Sequence, residues 1–197
     1  MSLFTIENSD NHEKVFGSAV HFKMRTEAML GRARKSISEV IGNLEKEGCL
    51  MYVSGGRWSA HDLRFWVLDQ TGPADVWMST WAMGEDSARM LYSGLETGLI
   101  QKLYCLFDRR LPVRKAKIMQ MAQHICTKVS LVDCHAKITV IKNAEWAVTI
   151  CGSANDTNNK RIEGGVIICS KEIADFNINW MEKQLNDGDP FEWRKID

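Results

Sequence analysis

Residues 134–165 read CHAKITVIKNAEWAVTICGSANDTNNKRIEGG, and this stretch decides how the rest of the chain is read. Residues 137–142 and 146–151 are predicted as two strands joined by a hairpin at Asn143, Ala144 and Glu145. His135 and Lys137 stand two apart at the start of the first strand, so their side chains leave the same face. Gly152-Ser153-Ala154-Asn155 closes the second strand. Antiparallel neighbours then bring His135, Lys137, Ser153 and Asn155 to one end of the pair. A titratable nucleophile, a fixed cation and two hydrogen-bonding groups around one point suit a phosphate. Lys137 and Asn155 would hold its oxygens while a neutral imidazole attacks phosphorus. Alone, H-x-K is an ordinary strand start and G-S-x-N an ordinary turn. The two together, at this spacing, carry the chemistry.

Outward from this core the chain alternates strands and helices. Strands are predicted at 49–53, 63–68, 75–83, 100–107, 127–132 and 165–169, and helices at 85–96, 112–124 and 171–185. Apolar residues from Met24 to Leu44 recur at mostly three- and four-residue steps, which predicts a helix or helix pair over 21–47, stopped by Gly48. The expected fold class is therefore α/β, a mixed sheet sandwiched by helices with an N-terminal helical extension.

The pattern resembles that of the phospholipase D superfamily, whose signature is H-x-K, four residues, D, then G-S/G-x-N a short way downstream. His135-Ala136-Lys137 and Gly152-Ser153-Ala154-Asn155 match it in type and spacing. Upstream, the segments 75–83, 85–96 and 100–107 look like that family's opening β-α-β unit, so the likeness spans about residues 49–185. It divides the chain into an extension over 1–48 and a phospholipase D-like phosphodiesterase domain over 49–197. It implies His135 as nucleophile, Lys137 and Asn155 on the phosphate, and Ser153 in support. Glu163 stands about where single-motif members place an acid that orients the histidine. One departure is plain: Lys142 occupies the position of the motif aspartate, an acid that serves structure in this family. Family chemistry uses two histidines, and this chain has one copy of the motif. The resemblance therefore implies a homodimer whose two His135 residues face one cleft.

The 197 residues carry 25 basic and 25 acidic side chains, a balance that excludes a uniformly basic histone-like binder. The balance is not even along the chain. Residues 61–99 carry two basic against six acidic residues, whereas 101–130 carry seven basic residues against Asp108 alone. Arg109, Arg110, Arg114, Lys115 and Lys117 in that basic stretch are the candidate nucleic-acid-binding residues, since a phosphate backbone is followed by such charges. The reading is a metal-independent phosphodiesterase, an endonuclease on DNA or RNA, needing no cofactor and no metal. The competing readings are a dimeric nucleic-acid-binding or scaffold module of the same fold without turnover, and a phospholipase or lipid-phosphate transferase. No run reaches the roughly 18 apolar residues of a membrane helix, and the first ten residues lack secretory character. A cytoplasmic location is expected. The six cysteines show no C-x-x-C pair; buried, reduced thiols are expected of those in the apolar runs around Cys49, Cys105, Cys151 and Cys169.

Overall fold

The computed structural model describes residues 17–21, 28–30, 37–56, 58–158, 161–187 and 189–190. The alternation in the sequence becomes β3 (Cys49–Gly55), α2 (Ala60–Thr71), β4 (Ala74–Thr80), α3 (Glu85–Glu96), β5 (Ile100–Asp108), α4 (Leu111–Arg114), α5 (Ala116–Ile125), β6 (Lys128–Val132), β7 (Ile138–Lys142), β8 (Ala147–Gly152), β9 (Ile162–Cys169) and α6 (Lys171–Asp187). Before these lie β1 (Gly17–His21), β2 (Ala28–Leu30) and α1 (Ile37–Ile41), and after them β10 (Asp189–Pro190). The ten strands form one sheet in the order β10-β6-β5-β4-β7-β8-β9-β3-β1-β2. β4, β5 and β6 run parallel, as their helical crossovers require. From β4 outward through β7, β8, β9 and β3 every neighbour is antiparallel.

Both faces of the sheet are covered. On one, Leu63, Trp66 and Val67 of α2, Ala88 and Leu91 of α3, and Ile118 and Met119 of α5 pack against Val76, Met78, Leu103, Phe107 and Val148. On the other, Ala174, Ile178, Met181 and Leu185 of α6 cover Trp77, Leu106, Val132 and Val140. Burial of each of these larger apolar side chains stabilises the fold by about 1.5–3 kcal/mol. Trp77 belongs to this core, stacked on Tyr104 at 4.9 Å.

Three sequence expectations are corrected. Residues 63–68, read as a strand, lie inside α2. Ser59 and Asp62 form a reciprocal capping box, Ser59 N donating to Asp62 Oδ2 at 2.8 Å, and Gly72 at φ 74° ends the helix. The basic helix at 112–124 is two helices broken at Lys115, whose φ of −144° is not helical. The N-terminal helical extension is not what the described residues of 1–48 form. β1 pairs with β3 and β2 with β1, and α1 has only five residues. An available sheet edge at β3 supplies backbone partners that override a local helical period. The rest of 1–48 lies outside the described residues.

All six cysteines are free. Cys105 and Cys169 are buried as expected, but Cys151 is exposed and Cys49 only partly covered. Strand alternation explains Cys151: Val148 and Ile150 point into the core, so residue 151 points out of the opposite face. No described helix is long and apolar enough to cross a membrane.

Candidate active site

The end of the sheet where β4 and β5 finish is also where β7 and β9 start and β8 stops. Ser79 pairs with Ile138 and Ile138 with Cys151, so the segments just beyond them meet. His135 lies in the turn before β7 and is exposed. Lys137 Nζ donates to the His135 carbonyl at 2.8 Å and stands 3.2 Å from His135 Nδ1. Partial burial holds the Lys137 ammonium below its ordinary range, against the pull of Cys134 and Glu163 in the other direction. Gly152 N donates to Lys137 O at 3.2 Å, which ties the start of β7 to the end of β8.

A second pair completes the end of the sheet. The Ser153 hydroxyl donates to the Glu163 carboxylate and accepts from Gly164 N at 3.1 Å. Ser153 N donates to Gly164 O at 2.9 Å. Asn155 is half-buried, and its side-chain oxygen is buried with no hydrogen-bond partner among the described residues. His135 and Lys137 are thus in contact, as are Ser153 and Glu163. One backbone bond and the Glu163–Lys137 attraction link the two pairs.

Gly152 and Gly165 are glycines for a packing reason. A Cβ at Gly152 would stand 2.7 Å from the Tyr52 hydroxyl, and one at Gly165 would stand 2.6 Å from it and 2.5 Å from Cys151 O. The phenol of Tyr52, buried on β3, therefore lies flat beneath both strands next to Ser153. Burial, and then Cys151 and Glu163, push its ionisation up.

The basic stretch divides. Arg110 donates from Nε and Nη2 to the two carboxylate oxygens of buried Asp108, at 2.6 and 2.9 Å, which holds Asp108 below the usual carboxylate range. Arg109 reaches Asp133 at 3.4 Å. Arg114, at the break between α4 and α5, stands 4.9 Å from the centre of the Trp81 ring, and Arg110 stands 5.6 Å from it. The same indole lies 5.8 Å from the His135 ring. Arg110 and Arg114 are thereby brought beside His135. Lys115 is exposed, and Lys117 lines a groove with Glu85, Arg89 and Met121 between α3 and α5.

The spacing of Trp77 and Trp81 reads as core or cleft wall, and one feature, the Arg64–Asp156 pair, escaped the sequence reading. Trp81 is the wall that joins His135 to the arginines. Beneath it, Asp156 fastens the segment after β8 to the segment after β4. Its carboxylate meets Arg64 Nη2 and Ser87 Oγ, each at 2.5 Å. Its backbone N donates to Ala82 O at 3.1 Å, and its carbonyl accepts from Gly84 N at 2.7 Å. Arg64 has no exposed surface. A lone arginine in the run LRFWVL was the available signal, because a buried guanidinium needs a carboxylate. Lys142, the departure from the motif, sits at the far end of β7 and pairs with Asp175 of α6 at 2.5 Å; it does not touch the site. Among the described residues no three His, Cys, Asp or Glu side chains group as metal ligands.

No protein-family model matches the chain, and no curated protein sequence matches it. Solved structures do. Nuc from Salmonella typhimurium, a phospholipase D family member, superposes with a TM-score of 0.53 at 17% identity, covering 66% of this chain and 90% of its own. The chain shares the fold of this phospholipase D family member. NucT from Helicobacter pylori matches over 66% of this chain and 91% of its own, with a TM-score of 0.50 and 17% identity. TrmBL2, an archaeal chromatin protein whose structure shows a mode of DNA binding, matches over 78% of this chain and 57% of its own, with a TM-score of 0.50 and 12% identity. The mixed α/β sandwich expected from the sequence is thus found.

Proposed function

We propose that the chain is a phosphodiesterase of the phospholipase D type, needing no metal and acting on DNA or RNA, with a site completed by a second copy. The observation that carries this is the exposed His135 imidazole with Lys137 Nζ 3.2 Å from its Nδ1. Nδ1 faces the lysine, so Nε2 is the nitrogen free to reach phosphorus. A bound phosphate draws Lys137 onto its own oxygens, which frees Nδ1 to carry the ring proton and leaves Nε2 with its lone pair.

The step is then a displacement. Nε2 forms the P–N bond, the bond from phosphorus to the leaving oxygen breaks, and that oxygen takes a proton from the partner copy's histidine. The same histidine next removes a proton from water, whose oxygen displaces Nε2 and restores the imidazole. Asn155 and Lys137 hold the phosphoryl oxygens throughout, while Ser153 and Glu163 brace the strand end between them. The likeness to Nuc supports this reading.

The TrmBL2 likeness favours one alternative, a nucleic-acid-binding dimer without turnover. Hydrolysis of bis-p-nitrophenyl phosphate and of DNA in EDTA by wild type separates the two: turnover is expected, and an inert chain that binds DNA in a salt-sensitive way supports the alternative. Release of headgroup from vesicles without cleavage of DNA would point to a lipid enzyme. The homodimer is checked by sedimentation, where a mass of one chain at micromolar concentration contradicts it.

A further inference from the structure

His135, Lys137 and Asn155 account for one phosphate. Beyond them the structure holds a second cation whose placement that phosphate does not explain. Arg114 lies on the Trp81 ring at 4.9 Å, and the same indole meets His135 at 5.8 Å and Arg110 at 5.6 Å. The guanidinium and the imidazole are therefore one indole apart. Arg110, the other arginine on the ring, is neutralised by a two-point bond to buried Asp108, and Arg109 is paired with Asp133. Among the described residues no carboxylate reaches the Arg114 guanidinium at ion-pair distance, and it is exposed. A long cationic side chain left in solvent samples many rotamers; this one is held against an aromatic face, which is how a guanidinium is kept aimed without losing its charge. With three side chains already on it, the indole is a poor platform for a base and a good spacer.

Resting on the phosphodiesterase reading, we infer that Arg114, held by Trp81, is a binding group for a second phosphate next to the one attacked at His135. The substrate class follows. A phospholipid offers a single phosphodiester and would leave Arg114 empty, whereas a polynucleotide places a neighbouring phosphate along the same strand. The subsite therefore selects nucleic acid through its backbone, without reading sequence.

The test compares two substrates of different reach, bis-p-nitrophenyl phosphate with one phosphate and a single-stranded oligonucleotide with many. R114Q lowers kcat/KM for the oligonucleotide at least tenfold more than for the small diester. In W81L the same discrimination is lost, and the double variant W81L/R114Q loses little more than either, because both act through one contact. Binding gives a second readout that does not need turnover. In the H135N background, adding R114Q reduces the slope of log affinity for the oligonucleotide against log salt by about 0.7, one phosphate contact on a single strand. Equal losses on both substrates, or an unchanged salt slope, overturn the inference. Wild type inert on both substrates overturns the phosphodiesterase reading instead, and the salt slope still decides whether Arg114 meets a phosphate.

Discussion

Arg64 and Asp156, 92 residues apart in the chain, meet inside the protein at 2.5 Å, and the residue before Asp156 is Asn155 of the candidate site. Through this pair, α2 holds the segment after β8 against the segment after β4 that carries Trp81. D156L leaves a buried guanidinium unpaired and is expected to cost about 3–5 kcal/mol, read from urea denaturation. R64M/D156L, which removes both charges, is expected to be more stable than either single variant yet to hydrolyse diesters poorly, because the Asn155 segment is no longer fastened. A double variant with full activity would show that the pair does not position the site.

Tyr52 dictates two glycines, and the two should respond differently to its removal. G152A pushes a methyl to 2.7 Å from the Tyr52 hydroxyl, an overpacking expected to cost about 1–3 kcal/mol. Y52F removes that oxygen and is expected to recover most of the loss. The same rescue is expected to fail for G165A, whose methyl also meets Cys151 O of the neighbouring strand at 2.5 Å. Thermal melting of the four variants checks the pattern.

Asp108 ties stability to pH. Its hydrogen bonds from Arg110 depress its folded ionisation below the ordinary carboxylate value. A depressed carboxylate contributes stability that is fully present above its unfolded pKa, about 4, and is lost as pH falls through the lower folded value. D108N is therefore expected to melt below wild type at pH 6–7, with the gap closing below about pH 4. A gap that stays constant down to pH 3 would show that the ion pair is not its source.

Lys142 stands where the resemblance places an aspartate, and its partner Asp175 lies on α6, with both side chains about one-third exposed. Partly exposed pairs contribute little, so K142A is expected to cost no more than about 1 kcal/mol and to leave diester hydrolysis at the wild-type level. A large activity loss in K142A would place this end of β7 in the mechanism.

The elements that local pattern reveals are those with a clean period and a clear stop. α3 is found over Glu85–Glu96 as expected, ended near Gly98, and β7 and β8 fall at the strands expected on either side of the Asn143 hairpin. α2 was hidden because all of LRFWVL is apolar except Arg64, and five of those six residues are buried in a helix that is covered on most sides. The first strands were hidden because their partner is the edge of β3, not a neighbour in sequence. The placement of His135, Lys137, Ser153 and Asn155 at one end of the β7–β8 pair was legible from their spacing. The Asp156–Arg64 pair was not, since it joins segments brought together only by the sheet, and Trp81 was legible as core or cleft wall but not the neighbours it meets. Charge counting found the basic stretch but could not tell Arg110, already paired, from Arg114.

The most direct measurement is hydrolysis of bis-p-nitrophenyl phosphate in excess EDTA by wild type and by H135N, with both variants shown to be folded by circular dichroism. Undiminished wild-type activity in EDTA and a loss of at least about 10² in H135N are expected of a histidine nucleophile. Wild-type activity that requires a divalent ion, or H135N that retains turnover, contradicts it.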